Sequence, residues 1–216
     1  MILKDFSKEN SILNTFIAEI RDVNMQKDSM RFRRNIERIG EVLAYEMSKN
    51  FKTTRQGITT PLGIKDTEII AEDIVLCSIL RAGLPLHTGF LNYFDNAENA
   101  FISAYRKHTS ETEFEIIVEY LAAPSIEGKT LVLVDPMLAT GQSMLAVYET
   151  LLKLGKPKNI HIAAVIGAQE GIDTISKKLP EDTTLWIAAV DEVLNEKGYI
   201  VPGLGDAGDL AFGNKL

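Results

Sequence analysis

The residues Asp135-Pro136-Met137-Leu138-Ala139-Thr140-Gly141-Gln142-Ser143 follow directly on an apolar run, Leu131 to Val134. An acid closing a strand, then Thr-Gly-x-Ser, then a helix is a pattern with chemical content. The glycine lets backbone approach a ligand closely, and a helix start leaves several N–H groups without partners. Those donors, with the positive end of the helix dipole, make an anion site. Thr140 and Ser143 can each add a hydroxyl donor, and Asp135 can accept hydrogen bonds from sugar hydroxyls. The bare pattern fits a plain capped helix start equally well, with Thr140 or Ser143 as the N-cap. No Gly-x-x-x-x-Gly-Lys-Ser/Thr occurs, which excludes an ATP-type P-loop, and no Gly-x-Gly-x-x-Gly follows a strand, so dinucleotide binding is unsupported.

Two arginines stand at or just beyond apolar strands. Arg81 lies two residues past Ile79 and is followed by Ala-Gly; Arg106 follows Tyr105. A planar guanidinium at a strand end suits a pair of phosphate oxygens, although a surface ion pair explains a lone arginine as well. The tail, residues 198–213, holds five glycines among Tyr199, Ile200, Val201, Leu204, Leu210 and Phe212. That is too apolar for a solvated tail, and ordered Gly-rich backbone can read a small planar ring through its own N–H and C=O groups. The three histidines share no metal-ligand spacing. His161 lies in a strand and is expected in the core; His87, on the helix after Arg81, is expected on the surface. Cys77 sits in an apolar run and reads as a small buried hydrophobe.

The elements that would position these groups follow from periodicity. Ile36, Ile39, Leu43 and Met47 recur at helical spacing, so residues 1–50 are expected to be a helical segment. Residues 53–70 are turn-rich, with Thr-Thr-Pro-Leu-Gly a loop joining two short strands. Strands are expected over 73–79, 100–105, 130–134, 159–167 and 184–190. Helices are expected over 83–94, 141–154 and 170–178, the second ended by Gly155. Residues 113–122 alternate acids with apolar residues, as a two-sided strand does. The last 26 residues read as irregular. Short strands alternating with longer helices predict an α/β fold with a mostly parallel central sheet flanked by helices. Ligands then bind beyond the carboxyl ends of the strands, just after Ile79, Tyr105, Val134, Gly167 and Val190.

Composition bounds the partners. Thirty acids against 23 bases leave a formal net charge of −7, which argues against broad attraction to nucleic acid or anionic lipid. No stretch approaches the roughly 18 apolar residues that span a bilayer. Lys4, Asp5 and Glu9 interrupt the amino-terminal stretch where a signal peptide needs an apolar core, and one cysteine makes no internal disulfide. The chain is therefore expected in the cytoplasm, as one domain over 1–216.

The stretch from Val134 to Ser143 closely resembles the phosphoribosyl-pyrophosphate (PRPP) motif of type I phosphoribosyltransferases, in the Asp-Pro form of the uracil phosphoribosyltransferase family. The similarity continues in order along residues 30–213. Met30-Arg-Phe-Arg33 and Leu43-Ala-Tyr-Glu46 resemble the family's amino-terminal helix, and Ile79-Leu-Arg-Ala-Gly83 its pyrophosphate loop. Tyr105-Arg106 resembles the next strand end. Glu170-Gly-Ile172, Leu194 to Ile200, and Pro202-Gly-Leu-Gly-Asp-Ala-Gly-Asp209 follow, the last resembling the uracil-binding segment.

The resemblance implies the type I phosphoribosyltransferase fold with a β-rich arm or hood at 107–125, acting as lid or dimer arm, and a base-binding segment at 191–216. It implies the reaction uracil + PRPP → UMP + diphosphate, in pyrimidine salvage. Arg81 and Arg106 would hold the pyrophosphate, and residues 135–143 the ribose and 5′-phosphate. Ile200, Gly205 and Ala207 would contact uracil. Asp206 would contact PRPP, metal-bound water or the base proton, three roles left open. Mg²⁺ would arrive on PRPP; Pro136 replaces the second acid of the usual pair, so direct ligation by the protein is not expected. A homodimer or higher homo-oligomer is implied, while activation by a nucleotide such as GTP stays open. Three residues depart from the family: Gln142 and Pro85 replace glycines, and Ser78 a common proline. A Gln at positive φ costs on the order of 1 kcal/mol. Gln142 and Pro85 keep in view the alternative of a catalytically silent homologue; the other alternative, a pyrimidine-responsive RNA-binding regulator on the same fold, predicts a basic face that a net charge of −7 does not favour.

Overall fold

A computed structural model describes residues 1–108 and 114–215, with the side chains of 105–108 and 114–116 left out of the description. In chain order the elements are β1 (Ile2–Asp5), α1 (Ile12–Arg21), α2 (Ser29–Ser48), β2 (Thr53–Thr60), β3 (Gly63–Ile70), β4 (Ile74–Leu80), α3 (Leu84–Leu91), β5 (Glu98–His108), β6 (Phe114–Ala122), β7 (Thr130–Val134), β8 (Met137–Leu138), α4 (Gln142–Leu151), β9 (Asn159–Ala168), α5 (Gln169–Lys178), β10 (Thr184–Asp191), β11 (Val193–Leu194), β12 (Ile200–Val201) and α6 (Ala207–Phe212). The main sheet runs β1-β10-β9-β7-β4-β5-β6, with β8 beside β9. Every pairing in it is parallel except β5 with β6.

Strand residues alternate between two cores, as the two-residue side-chain period of a strand requires. Leu76, Val132, Val134, Ala163 and Trp186 join one core with α1, α2 and α3. Val75, Cys77, Leu131, Leu133, Ile162 and Leu185 join the other with α4 and α5. Burial on both faces explains why these strands are continuous apolar runs. On α2, Phe32, Ile36, Ile39, Leu43 and Met47 form the buried stripe. Helices α2 and α3 cross very closely: a Cβ built on Gly89 would stand 2.1 Å from the Glu37 carbonyl oxygen, and one on Gly40 2.7 Å from that of Leu86.

This topology makes a crevice. From β4 the chain passes through α3 to β5 on one side, whereas β7 pairs with β4 on the other and continues through α4 to β9. Helix α3 covers one face and α4 the opposite face. The chain therefore diverges beyond the adjacent carboxyl ends of β4 and β7, at the point where open α/β sheets bind ligands.

The expected strands and helices from residue 73 to 190 are present, each with ends shifted by a few residues at most. Three expectations need correction. Residues 2–5 are strand β1, not helix, because they pair with β10 at the sheet edge. The tail is not irregular throughout: β11 and β12 pair antiparallel, and α6 buries Ala207, Gly208 and Ala211. His87 is buried, not exposed. Its helix turns it inward, where Nε2 lies 2.7 Å from Asn99 Oδ1 and the ring packs on Phe101, and burial lowers its pKa. His161 is in the core as expected. Trp186 Nε1 donates to its Nδ1 at 3.2 Å, and burial pushes its pKa down to about 4. Cys77 is buried, its thiol pushed up to about 12.

Residues 53–70 form β2 and β3, a two-stranded hairpin outside the main sheet, in register from Thr53↔Ile70 to Thr60↔Gly63. All its strand residues are exposed. Within 107–125, the described residues include the antiparallel β5–β6 pairing; residues 109–113 lie outside the described residues.

Candidate active site

Asp135 is placed by β7, whose five residues are all buried, and the chain then turns along β9. The Asp135 N–H donates to the Ala163 carbonyl (3.2 Å), and the N–H groups of Val165 and Ile166 donate to the Pro136 carbonyl. Asp135 Oδ1 accepts the Met137 N–H at 3.1 Å. Asp135, residues 137–141, Ser143 and Met144 line one concavity. Asp135 keeps part of its surface open to it, yet its carboxyl is so surrounded by protein that desolvation pushes it up to about 7, partly opposed by the Met137 hydrogen bond.

The turn into α4 belongs to Gly141, with φ +77. It is the N-cap and offers no side chain, so the first-turn N–H groups of α4 receive no cap from that residue. Neither Thr140 nor Ser143 is the N-cap, although Thr140 Oγ1 accepts the Gln142 N–H at 3.4 Å. Among the described residues no side chain other than glycine takes positive φ, so Gln142 sits unstrained in the first helical turn. Pro85 lies in the first turn of α3, where its missing N–H has no helical partner to lose. Ser78 is buried, and its Oγ has no hydrogen-bond partner in the protein.

Arg81 follows β4 through a cis Leu80–Arg81 peptide. The loop lies against β7: a Cβ on Gly83 would be 2.6 Å from the Ile79 carbonyl oxygen and 3.0 Å from that of Val134. Arg81 therefore leaves its strand beside the point where Asp135 leaves its own. Its Nη2 donates to Asp209 Oδ1 (3.2 Å) and the Gly213 carbonyl (3.1 Å), both from the tail. Arg106 lies within β5 opposite Ile116, not at its end, because β5 continues to His108; its side chain is among those left undescribed.

The tail is held from several sides. Ile200 pairs with Leu194 and is buried. The chain passes through a cis Val201–Pro202 bond to Gly203 (φ +59) and Gly205 (φ +95). Asp206 is the N-cap of α6: its Oδ1 accepts the Asp209 N–H at 2.9 Å, and Lys215 Nζ stands 3.6 Å from its Oδ2. Arg33 on α2 donates to the Ala211 carbonyl at 2.6 Å and lies over the Phe212 ring. Arg21, at the end of α1, makes a two-pronged ion pair with Asp191 at 2.8 Å, and both grip Gly203. The structure thus brings the Arg81 loop, the end of β7 and the Gly-rich tail together.

Sequence reasoning assigns no role to Asp191, Arg21 or Gly171. Asp191 closes an apolar strand as Asp135 does, a signal that was legible. Gly171 opens α5 against the 138–141 turn, where its Cβ would lie 2.2 Å from the Ala139 carbonyl oxygen. Arg21 had no local signal.

The raised Asp135 carboxyl has a measurable consequence. Its folded value lies above the ordinary 3.8, so the protonated form favours folding and that contribution fades as pH rises from about 4 through about 7. Asp135→Asn, which cannot titrate there, should gain melting temperature relative to the parent as pH is raised across that window. Parallel pH profiles for the two proteins would mean that Asp135 ionises as an ordinary carboxylate.

Comparison with known proteins gives a consistent result. The family model described as uracil phosphoribosyltransferase matches residues 7–214. A uracil phosphoribosyltransferase of Porphyromonas gingivalis is 55% identical over 208 residues, covering 96% of each chain. One of Methanococcus vannielii is 39% identical, covering 95% of this chain and 88% of its own. A solved structure of an Aquifex aeolicus protein, 31% identical, superposes with a TM-score of 0.86 over 98% of both chains. A family match over nearly the whole length, together with a relative 55% identical over 96% of this chain, identifies it as a member of the uracil phosphoribosyltransferase family.

Proposed function

We propose that this chain, as one phosphoribosyltransferase domain, transfers the phosphoribosyl group of PRPP to N1 of uracil, forming UMP and diphosphate. The observation that supports this reading is the direct contact between Arg81 and the Gly-rich tail, which sets the Arg81 loop beside the backbone of that tail. The Arg81 loop in turn lies against the strand end that leads into Asp135. The 5′-phosphate would sit on the uncapped start of α4, with Thr140 and Ser143 as hydroxyl donors and Asp135 facing the ribose hydroxyls. Arg81 and Arg106 would neutralise the departing diphosphate, while the backbone around Ile200, Gly205 and Ala207 reads uracil O2, O4 and N3. Departure of diphosphate leaves an oxocarbenium-like ribosyl centre, which N1 attacks from the opposite side. Positioning and charge stabilisation then carry most of the acceleration.

A magnesium ion would arrive on PRPP, since Mg²⁺ readily keeps waters and substrate phosphates as ligands. Asp206, whose Oδ1 caps α6 and whose Oδ2 faces Lys215, would contact PRPP or its metal-bound water, or assist the base proton. When bound, the ion spreads the negative charge of the leaving group. The unstrained fit of Gln142 and Pro85 weakens the silent-homologue alternative.

The test mixes protein, Mg²⁺, PRPP and labelled uracil and follows UMP and diphosphate. Turnover of cytosine, orotate or a purine in place of uracil would overturn the assignment. Binding of uracil with no turnover of any base would make the silent homologue the better reading. A cytoplasmic location belongs to the same proposal and is supported by the buried, unpaired Cys77. No described helix is long and apolar enough to cross a membrane.

A homodimer or higher homo-oligomer also belongs to this reading, and the exposed apolar tip of the β2–β3 hairpin is the contact proposed for it. Leu62 at the tip is 100% exposed and Ile64 77%. Burying two such side chains is worth about 1.5–3 kcal/mol each, so Leu62→Glu with Ile64→Glu should weaken the dimer on the order of a hundredfold or more. Sedimentation velocity at graded concentrations reads the change. A parent that stays monomeric, or a double variant that dimerises as well as the parent, would rule the hairpin out.

A further inference from the structure

The turn that leads from Ile200 into the Gly205–Ala207 stretch is gripped by an ion pair from outside the tail. Arg21 Nη1 donates to Asp191 Oδ2 and Nη2 to Asp191 Oδ1, both at 2.8 Å. The same Nη1 donates to the Gly203 carbonyl at 2.9 Å, and the Gly203 N–H donates to Asp191 Oδ2 at 3.1 Å. Both backbone polar groups of Gly203 are therefore fixed by one charged pair. Asp191 is buried at the carboxyl end of β10, paired in register with Ala168, so it is anchored to the sheet. Arg21 ends α1, so the helical layer holds the other side.

Gly203 has no freedom to adjust otherwise. Its φ is +59, and a Cβ there would stand 2.1 Å from the Ile200 carbonyl oxygen, so the turn folds back tightly on Ile200. A backbone cradle discriminates a small ring only if its N–H and C=O groups are held before the ligand arrives, since ordering them on binding costs affinity. A buried ion pair is itself weak support for stability, because desolvation of both charges offsets much of their attraction. Its geometric exactness is better explained by what it holds.

We propose that Arg21 and Asp191 are positioning residues for base recognition: as a pair they fix the Gly203 peptide and so preorganise the segment that reads uracil. The proposal rests on the reading of residues 200–207 as the base site. Neither side chain touches substrate. The pair acts on the base half of the reaction and leaves the phosphate half, at the α4 start and the Arg81 loop, unaffected.

Arg21→Lys keeps the charge and loses the two-pronged fork; Asp191→Asn keeps an oxygen for the Gly203 N–H and loses the charge. In both, KM for uracil should rise roughly ten- to hundredfold, the loss expected for a charge-assisted hydrogen bond, with KM for PRPP and PRPP binding within about twofold of the parent. Amide hydrogen exchange over 200–207 should quicken in each variant, with the Arg81 loop and the start of α4 unchanged. An unmoved uracil KM in a folded variant would overturn the proposal. So would a parallel rise in both KM values with exchange quickened across the whole sheet, the signature of a merely structural pair. If one variant does not fold, the other carries the same comparison. Absence of UMP formation by the parent is a different failure, which removes the base-site reading together with this proposal.

Discussion

Arg81→Ala should lower phosphoribosyl transfer on the order of 10²–10³-fold while the protein keeps its fold and its melting temperature within a few degrees. Both halves follow from where the side chain sits. Among the described residues its guanidinium, two-fifths exposed, bonds Asp209 and the Gly213 carbonyl, and exposed ion pairs contribute about 0–1 kcal/mol. Removing it costs little stability. In the reaction the same group would face a leaving diphosphate whose charge grows as the glycosidic bond breaks, so its loss falls mainly on the transition state. Arg81→Lys should recover part of the rate, because an ammonium restores charge but not a planar two-pronged contact. Steady-state rates with saturating uracil, beside a thermal melt, read both effects. An unchanged rate in the alanine variant would remove Arg81 from the leaving-group site.

Gly171→Ala is expected to act on the opposite side of the same substrate, and through backbone alone. The new methyl would stand 2.2 Å from the Ala139 carbonyl oxygen, 2.9 Å from its carbon and 3.0 Å from the Leu138 carbonyl oxygen. None of these belongs to a flexible side chain, so either α5 or the 138–141 turn must move. Overpacking of this kind costs about 1–3 kcal/mol, which for a chain of this size lowers the melting temperature by roughly 2–10 °C. The turn also has little slack, because Gly141 itself lies against the Gly171 carbonyl, 2.9 Å from where a Cβ would be. Since this turn would hold the 5′-phosphate, KM for PRPP should rise at least tenfold, a displacement near an ångström being enough for such losses. Uracil binding, on the far tail, should not change in proportion. A variant with parental KM for PRPP would place the 5′-phosphate elsewhere.

These two predictions draw on different depths of the sequence. Arg81 stands out by its own neighbourhood, an apolar strand followed by Arg-Ala-Gly, and the helix start at Gly141 by Thr-Gly-x-Ser after a strand-end acid. Gly171 does not. Its Glu-Gly-Ile context matches the family, but no spacing says that a helix 30 residues on will press its first turn against Ala139. Asp191 falls between. It ends an apolar strand in the same manner as Asp135, yet its partner Arg21 lies 170 residues away, and nothing in an amphipathic helix marks its final arginine as a clamp. His87 is buried against the surface expectation for a related reason: α3 is apolar nearly all round, so helical spacing assigns it no outward face, and packing against β5 decides.

What the sequence determined by itself is whatever local physics encodes. Two-residue and helical periods set the strands and helices; Gly141 and Gly155 set turns; continuous apolar strands demanded cover on both faces, hence a parallel α/β sheet and binding at its carboxyl edge. Motif order pointed to the family. The tertiary structure alone decided which segments meet. Arg81 with Asp209, Arg33 with Ala211, Arg21 with Asp191 and Gly203, and Gly171 with Ala139 are contacts between elements on different crossings, and the exposed reach of the β2–β3 hairpin depends on what does not pack against it. Such contacts leave no periodic trace, because a side chain's distant partner is set by how whole layers stack and not by its neighbours along the chain.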